Sequence, residues 1–468
     1  MELINRELKV VNVGLEAFAQ SLTSQGVEAL SVCWRPPAHL DAETIRRLVR
    51  LDRPEIDDAN GVALERILTS DPVLVDVKPA IDVIPGMTLS KFLHAGPPIN
   101  WDEMCSTFRG AITGAILYEG LAETPSDAEK LAKSGEIELA PCHDHRTVSG
   151  MADIVSAHRQ VFVVKNRTHE NTAYCVLREG GAKSLRYGVY NEEVGKRLRW
   201  VSETLGPAIK TALAQAGGLE LSPLIARSLH MGDDGHSRCI ASTLIFSQFV
   251  TRQLQSSGTD RDIIAQVAAF FASDEQFSLT VVMPACKAVM DAAHNVPNSS
   301  IVTAMARNGT TFGIRVSGLG DQWFIGPSPA IDGVYFPGYT AADANPDMGD
   351  SSITETFGIG AFAVAAALTA GQLSKSPDPL AQAISYTRDM YEITLARNSR
   401  FTLPAMGLAG IPSGIDVRKV VERGIRPIIN TAIAHRQPGY GMIGVGIASA
   451  PIICFTKALQ QFVRQLGI

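Results

Sequence analysis

Residues 301–325 read IVTAMARNGTTFGIRVSGLGDQWFI, and the fold is decided there. Apolar residues alternate with small or polar ones over 301–306, 311–317 and 322–325, the period of a strand with one buried face. Arg307-Asn308-Gly309-Thr310 separates the first two runs, and Asn-Gly supplies the left-handed backbone that a tight hairpin needs. A three-stranded meander is predicted. Before it, residues 221–295 carry mostly helical spacing. Further back, 161–164, 173–177 and 184–190 read as strands, the last two joined at Gly180-Gly181. Val194, Leu198, Val201, Leu205, Ile209 and Leu213 then recur at helical steps, with Pro207 a kink or restart and Gly217-Gly218 a stop.

The first residues give a strand at 10–13, a break at Gly14, a helix over 15–24 and a second strand over 29–34. Such a unit builds parallel pairing through a right-handed crossover. Only one glycine stands where a dinucleotide fingerprint wants three, which argues against NAD. Helical spacing follows at 42–51, a strand at 73–77, helices at 88–94 and 101–121, and a charged, solvated stretch at 124–138. Beyond the meander, 335–350 has no apolar period, 360–373 is an Ala-rich helix, 413–422 opens with a Ser-x-x-Asp cap pattern, and 439–446 carries four glycines. The fold class expected is therefore α/β and α+β in several domains. A small Rossmann-like unit would span 1–95, a mixed α+β domain carrying the His143/His145 loop 96–220, a helical segment 221–295, and a glycine-rich α+β domain with the meander 296–468.

A chain of 468 residues is too long for one ordinary core, so clefts between domains are expected. It is 46% hydrophobic with a formal charge of -6, which provides ample material for burial and no basic excess for nucleic acid. Seven cysteines lie scattered without a CxxC pair, as in a reduced, cytoplasmic protein, and the start lacks the basic end and apolar run of a signal peptide. The apolar stretches 358–373 and 441–455 fall short of the ~20 residues of a membrane span.

Four groups of residues could carry chemistry. Cys142-His143-Asp144-His145 sets two imidazoles two apart, and His230-Met231-Gly232-Asp233-Asp234-Gly235-His236-Ser237-Arg238 adds two more with two carboxylates. His143, His145, His230 and His236 suit acid/base work, or together a divalent metal such as zinc, although no third ligand is fixed by local spacing. Arg307, Asn308 and Arg315 flank the hairpin turn, where a guanidinium and free amides can seat a carboxylate or phosphate, and Arg238 is a further cation. Glu355-Thr356-Phe357-Gly358-Ile359-Gly360 is a second anion cradle at a helix start, with Glu355, Gly358 and Gly360 in it. Each has a plainer reading: polar loops bonded to backbone, a solvated hairpin, glycines that permit close packing. Asp343-x-Asn345-x-Asp347 fails as a calcium loop, since Pro346 interrupts it and Met348 replaces the turn glycine. No cofactor is firmly predicted. No serine elbow, HExxH pair or P-loop occurs.

The segments HAGPPINW, APCHDHRTVSGMA, LRYGVYNEEVGKRLRW, LHMGDDGHSR, YFPGYTAADANPDMGDSSITETFGIG and GYGMIGVG, with several others spread along nearly the whole chain, resemble the YlbE-like family. That family includes the AllG subunit of oxamate carbamoyltransferase. The resemblance implies a part in allantoin and purine breakdown, converting oxalurate and phosphate to oxamate and carbamoyl phosphate, with FdrA-like and AllH-like partner chains. The Ser-Thr-Arg-Thr motif of aspartate and ornithine carbamoyltransferases is absent. Such chemistry needs a cation clamp, donors for the carbonyl oxygen and a base. Arg307 and Arg315 are assigned the clamp, Asn308 the polarising donor, and His143 or His145 the proton. The substrate class expected is a small anion, carbamoyl phosphate or oxamate, on a homo-oligomer with neither nucleic acid nor membrane as partner. A metal-assisted amide or ureide hydrolase and a non-catalytic scaffold subunit stay open as alternatives.

Overall fold

The hairpin signal is realised in the computed structural model, which describes residues 10–13, 16–32, 41–367 and 376–467. Val302–Asn308, Thr311–Val316 and Phe324–Pro327 pair antiparallel in sequence order, and Gly309 takes the turn at φ 79°. Met348–Gly349 adds a fourth strand beside the first, placing Arg307 opposite Gly349. Its partner lies forty residues downstream in a stretch without apolar period, so nothing in the local pattern announced it.

The chain is mixed α and β throughout and divides into two compact units, Met1–Val49 and Arg50–Ile468. In the first unit, Val10–Val13 and Ala29–Val32 pair in parallel, with helix Glu16–Thr23 between them. In the second, a five-stranded sheet runs in the order Thr147–Val148, Thr172–Val176, Gln160–Asn166, Pro72–Pro79, Leu219–Glu220. Elements far apart in sequence thus share one sheet. Helix Leu279–Ala292 packs on this sheet and is buried almost end to end, which its composition (LTVVMPACKAVMDA) allows. Its one cation, Lys287, is held by Asp291 a turn later at 2.6 Å. A phenylalanine cluster of Phe162, Phe246, Phe271 and Phe277 fills the space between sheet and helices with edge-on ring pairs.

Several local expectations are corrected. Residues 88–94 form no helix; Lys91–His94 is a strand parallel to Glu138–Pro141. Residues 184–190 form no strand; Leu185–Tyr187 is a 3-10 turn that ends at Gly188 with φ 71°. A Cβ on Gly188 would stand 2.4 Å from the Thr107 carbonyl, so close approach to helix Ser106–Tyr118 sets this bend. At Pro207 the expected restart is seen. Glu192–Trp200 passes through a wider π segment, Val201–Leu205, into Gly206–Ala216, and Pro207 sits in the first turn after that widening. The Ala-rich stretch begins as a 3-10 run, Gly360–Ala366, bent at Ala363, and 368–375 lie outside the described residues. The cap expected from Ser413 is made by Asp416, whose side chain accepts from the Arg418 amide ahead of helix Val417–Arg423.

Candidate active site

A cleft of about 590 Å³ in the second unit gathers Met151, Arg178, Arg186, His236, Gln276 and Met442 on its walls. Its chemistry begins at the loop 232–238. Asp233 anchors the start of helix Ile240–Ser256, its carboxylate accepting from the amides of Ala241 at 3.1 Å and Ser242 at 2.8 Å. Asp234 bends the loop back, accepting from the amides of His236 at 2.7 Å and Arg238 at 3.0 Å, while its other oxygen takes the Asn430 side chain at 2.9 Å. Burial raises the Asp234 carboxyl to about 6. The turn delivers the imidazole of His236, whose Nδ1 lies 2.8 Å and 3.0 Å from the two oxygens of Glu355.

Glu355 is fully buried and heavily bonded. It accepts from the Ala361 amide at 2.9 Å, the Asn430 amide at 3.2 Å and the Thr354 hydroxyl at 3.0 Å. A buried carboxylate with that many donors is held in position. It fixes Nδ1 as the inner nitrogen of His236 and leaves Nε2 as the outer one. Glu355 is therefore an acceptor, and the cradle expected at 355–360 is closed to an outside anion: the Gly360 amide donates to the Asp234 carbonyl at 2.7 Å, and Ala361 is taken by Glu355 itself. Gly358 and Gly360 serve close packing. A Cβ at Gly358 would stand 1.9 Å from the Pro412 carbonyl, and one at Gly360 2.2 Å from Glu355.

Two arginines also line the cleft. Arg178 is buried and forks onto Asp274, through Nε at 2.6 Å and through Nη2. Arg186 is half-buried beside it with its guanidinium 4.8 Å from the Tyr187 ring, and its Nε is sealed without an acceptor. The loop 149–152 lines the same cleft through Gly150 and Met151. Met151 takes a left-handed backbone at φ 55°, held by the Ala152 amide donating to the Arg186 carbonyl.

The oxamate carbamoyltransferase subunit AllG family model matches residues 137–351, which contain this loop, both arginines and His236. The AllG oxamate carbamoyltransferase subunit of Escherichia coli K12 is 41% identical over 421 residues, 88% of this chain and 99% of that protein. The chain belongs to the AllG family. The uncharacterized protein YahG of the same organism is 43% identical over 470 residues, 100% of this chain and 99% of its own. A crystal structure of a conserved protein of unknown function from Enterococcus faecalis V583 superposes with a TM-score of 0.86 at 44% identity, covering 88% of this chain and 98% of that one.

In this AllG-family chain the other residues singled out from sequence lie apart from the dyad. Arg307 is fully buried and its fork is filled: Asp347 takes Nε at 2.7 Å and Nη2 at 3.0 Å, the Gly349 carbonyl takes Nη1 at 2.7 Å, and Thr431 lies 3.4 Å away. Asn308 spends its side chain on the hairpin, accepting from the amides of Thr310 and Thr311 and donating to the Pro97 carbonyl. Arg315 bonds Asp144 and lies over the Trp323 ring at 4.5 Å. Arg238 is half-buried with an unpartnered Nε. His145 is half-buried and His230 exposed, close to the Pro85 carbonyl and the Thr402 hydroxyl respectively. His143 is buried edge-on to Trp323, 3.7 Å from Asp350, with neither ring nitrogen bonded. Burial pushes its imidazole well below the usual range, and the charges of Lys287, Arg315 and His294 add to that. Among the described residues the four histidines do not converge, and no group of three or more His, Cys, Asp or Glu side chains is arranged to hold a metal ion. None of the described helices is long and apolar enough to cross a membrane.

Arg178, Arg186, Met151 and Gln276 escaped the sequence reading. Arg178 and Arg186 belong to the segments AYCVLREGG and LRYGVYN, where each is one cation among apolar neighbours. Only their convergence gives them meaning.

Proposed function

We propose that this chain is a carbamoyltransferase subunit that interconverts oxalurate plus phosphate with oxamate plus carbamoyl phosphate in the cleft around His236. The observation that carries the reading is the buried His236–Glu355 pair on the wall of a cleft that also holds arginine. In the phosphate-consuming direction a phosphate oxygen attacks the ureido carbon, and the bond from that carbon to the oxamate nitrogen breaks. The proton lost by the phosphate must reach the departing nitrogen. His236 Nε2 can collect and return it, while Glu355 stabilises the imidazolium that exists in between. The reverse reaction uses the same nitrogen as a base on the oxamate amide.

The E. coli relative is a subunit by name, which supports activity in an assembly, and FdrA-like and AllH-like chains are the partners proposed for this chain. Phosphate-dependent loss of oxalurate, followed with and without those chains, tests the reading. Loss is expected in the assembled enzyme, and His236→Asn is expected to lower kcat by about 10²–10⁴-fold. Full turnover by that variant would remove His236 from the mechanism. An assembly that leaves oxalurate untouched would remove the function.

A further inference from the structure

Of the two arginines on the cleft wall, one is neutralised and the other is not. Arg178 is locked bidentate to Asp274, whereas no carboxylate among the described residues lies within ion-pair distance of Arg186. Its Nε is buried without an acceptor, a costly state unless something else supplies one. The neighbouring amides of Gly150 and Met151 also have no acceptor among the described residues, and both line the same cleft. These groups are tied together, since the Ala152 amide donates to the Arg186 carbonyl at 2.9 Å. We propose that Arg186, with the amides of Gly150 and Met151, is the seat for a small oxyanion in this cleft, a carboxylate or a phosphate group of the substrates.

This rests on reading the cleft as the transfer site and deepens it by assigning the anion's place. The Tyr187 ring lies 4.8 Å from the guanidinium, and the planar fork of this cleft-lining arginine can offer two parallel donors to two oxygens. The amides of the loop tied to it can add donors without adding a mobile side chain. The charge also persists: burial works against it, but Tyr187, Asp274, Glu179 and Asp153 together outweigh burial and hold the guanidinium protonated. The arginines first assigned to the clamp leave the place vacant, because Arg307 and Arg315 are spent on Asp347 and Asp144.

Calorimetric titration of the full chain, alone and with partner chains, with oxamate and separately with inorganic phosphate, tests the seat. Arg186→Met is expected to weaken at least one of the two by about 10-fold or more, Arg186→Lys by less, and the exposed Arg252→Met by no more than about twofold. Loss of phosphate binding alone places phosphate there, and loss of oxamate binding alone places the carboxylate there. Should Arg186→Met not fold, phenylglyoxal labelling of the parent serves instead, with Arg186 protected by the anion that binds. The proposal is overturned if Arg186→Met binds both anions like the parent, if the parent binds neither in any form, or if neither anion protects Arg186. Binding that persists while the assembled enzyme transfers no carbamoyl group would sink the functional reading and leave the seat standing.

Discussion

Glu355 is a single carboxylate with four donors around it, and its removal separates orientation from proton transfer. Glu355→Gln keeps the shape but presents an amide N–H₂ to groups that are themselves donors. His236 would then lose the partner that fixes its inner nitrogen, and kcat in the assembled enzyme is expected to fall by about 10–100-fold, as when a supporting partner of a working imidazole is removed. Unchanged kcat would show that the pair is structural. Asp350 offers a second test at this scale. Burial raises its carboxyl to about 7, even though the amides of Gly96 and Ser149 bond its two oxygens. The folded chain thus holds this proton more tightly than the unfolded chain, so the stabilisation is complete below about pH 4 and is lost as pH rises through about 7, worth on the order of 4 kcal/mol. Melting temperatures are expected to fall more steeply over that window for the parent than for Asp350→Asn; parallel profiles would contradict it. His143, with a lowered value, works in the opposite sense and remains in both proteins. The sequence exposed His236 and Glu355 as polar members of two loops 119 residues apart, and nothing in their spacing could join them. Arg307 misled for a physical reason: a guanidinium beside a hairpin turn looks available until a carboxylate forty residues downstream fills it.

Elements were legible where the signal is local. The meander followed from Asn308-Gly309 and its alternating flanks, and the helices between 221 and 295 from their period. Where the deciding contact is distant, the reading failed, as at Lys91–His94, whose parallel partner is Glu138–Pro141, and at Leu185–Tyr187, bent by the approach of Thr107. The link between helix Ile353–Phe357 and the following 3-10 turn shows how such an approach governs the site. Gly358 stands there at φ 121°, a conformation strained for any side chain, and the Pro412 carbonyl occupies the space a Cβ would need. That carbonyl is no flexible tip, because Pro412 lies in the strand Ala409–Ile415 paired to Thr394–Leu403. Gly358→Ala should therefore cost about 3 kcal/mol or more, seen as a lower melting temperature. It should also displace Glu355 and lower kcat with it. A variant as stable as the parent would mean that the link relaxes freely.

At the scale of the molecule, the cleft draws on Gly150, Arg178, His236, Gln276, Ser351 and Val445, segments spread over some three hundred residues, and all of them belong to the unit Arg50–Ile468. This wide dispersal is why the site could be named only piecewise from the sequence. The residues that line the cleft run from Gly150 to Val445. Two of the relatives are matched almost to their full length by 88% of this chain, so a folded member of the family needs no counterpart of the remainder. Among the described residues the main core clusters draw on residues beyond Val49, and Leu51, fully buried, gives its carbonyl to Arg418 at 3.0 Å. A protein beginning at Arg50 keeps that contact and the whole sheet on which helix Leu279–Ala292 packs. It is therefore expected to unfold cooperatively at a melting temperature within about 5 °C of the parent, since the described core clusters of this unit are all retained. Its affinity for oxamate or phosphate should match that of the full chain within about twofold, because Gly150, Met151 and Arg186, the groups assigned to the seat, all lie beyond Val49. Loss of anion binding in a truncated protein that still melts cooperatively would show that Met1–Val49 contributes to the site.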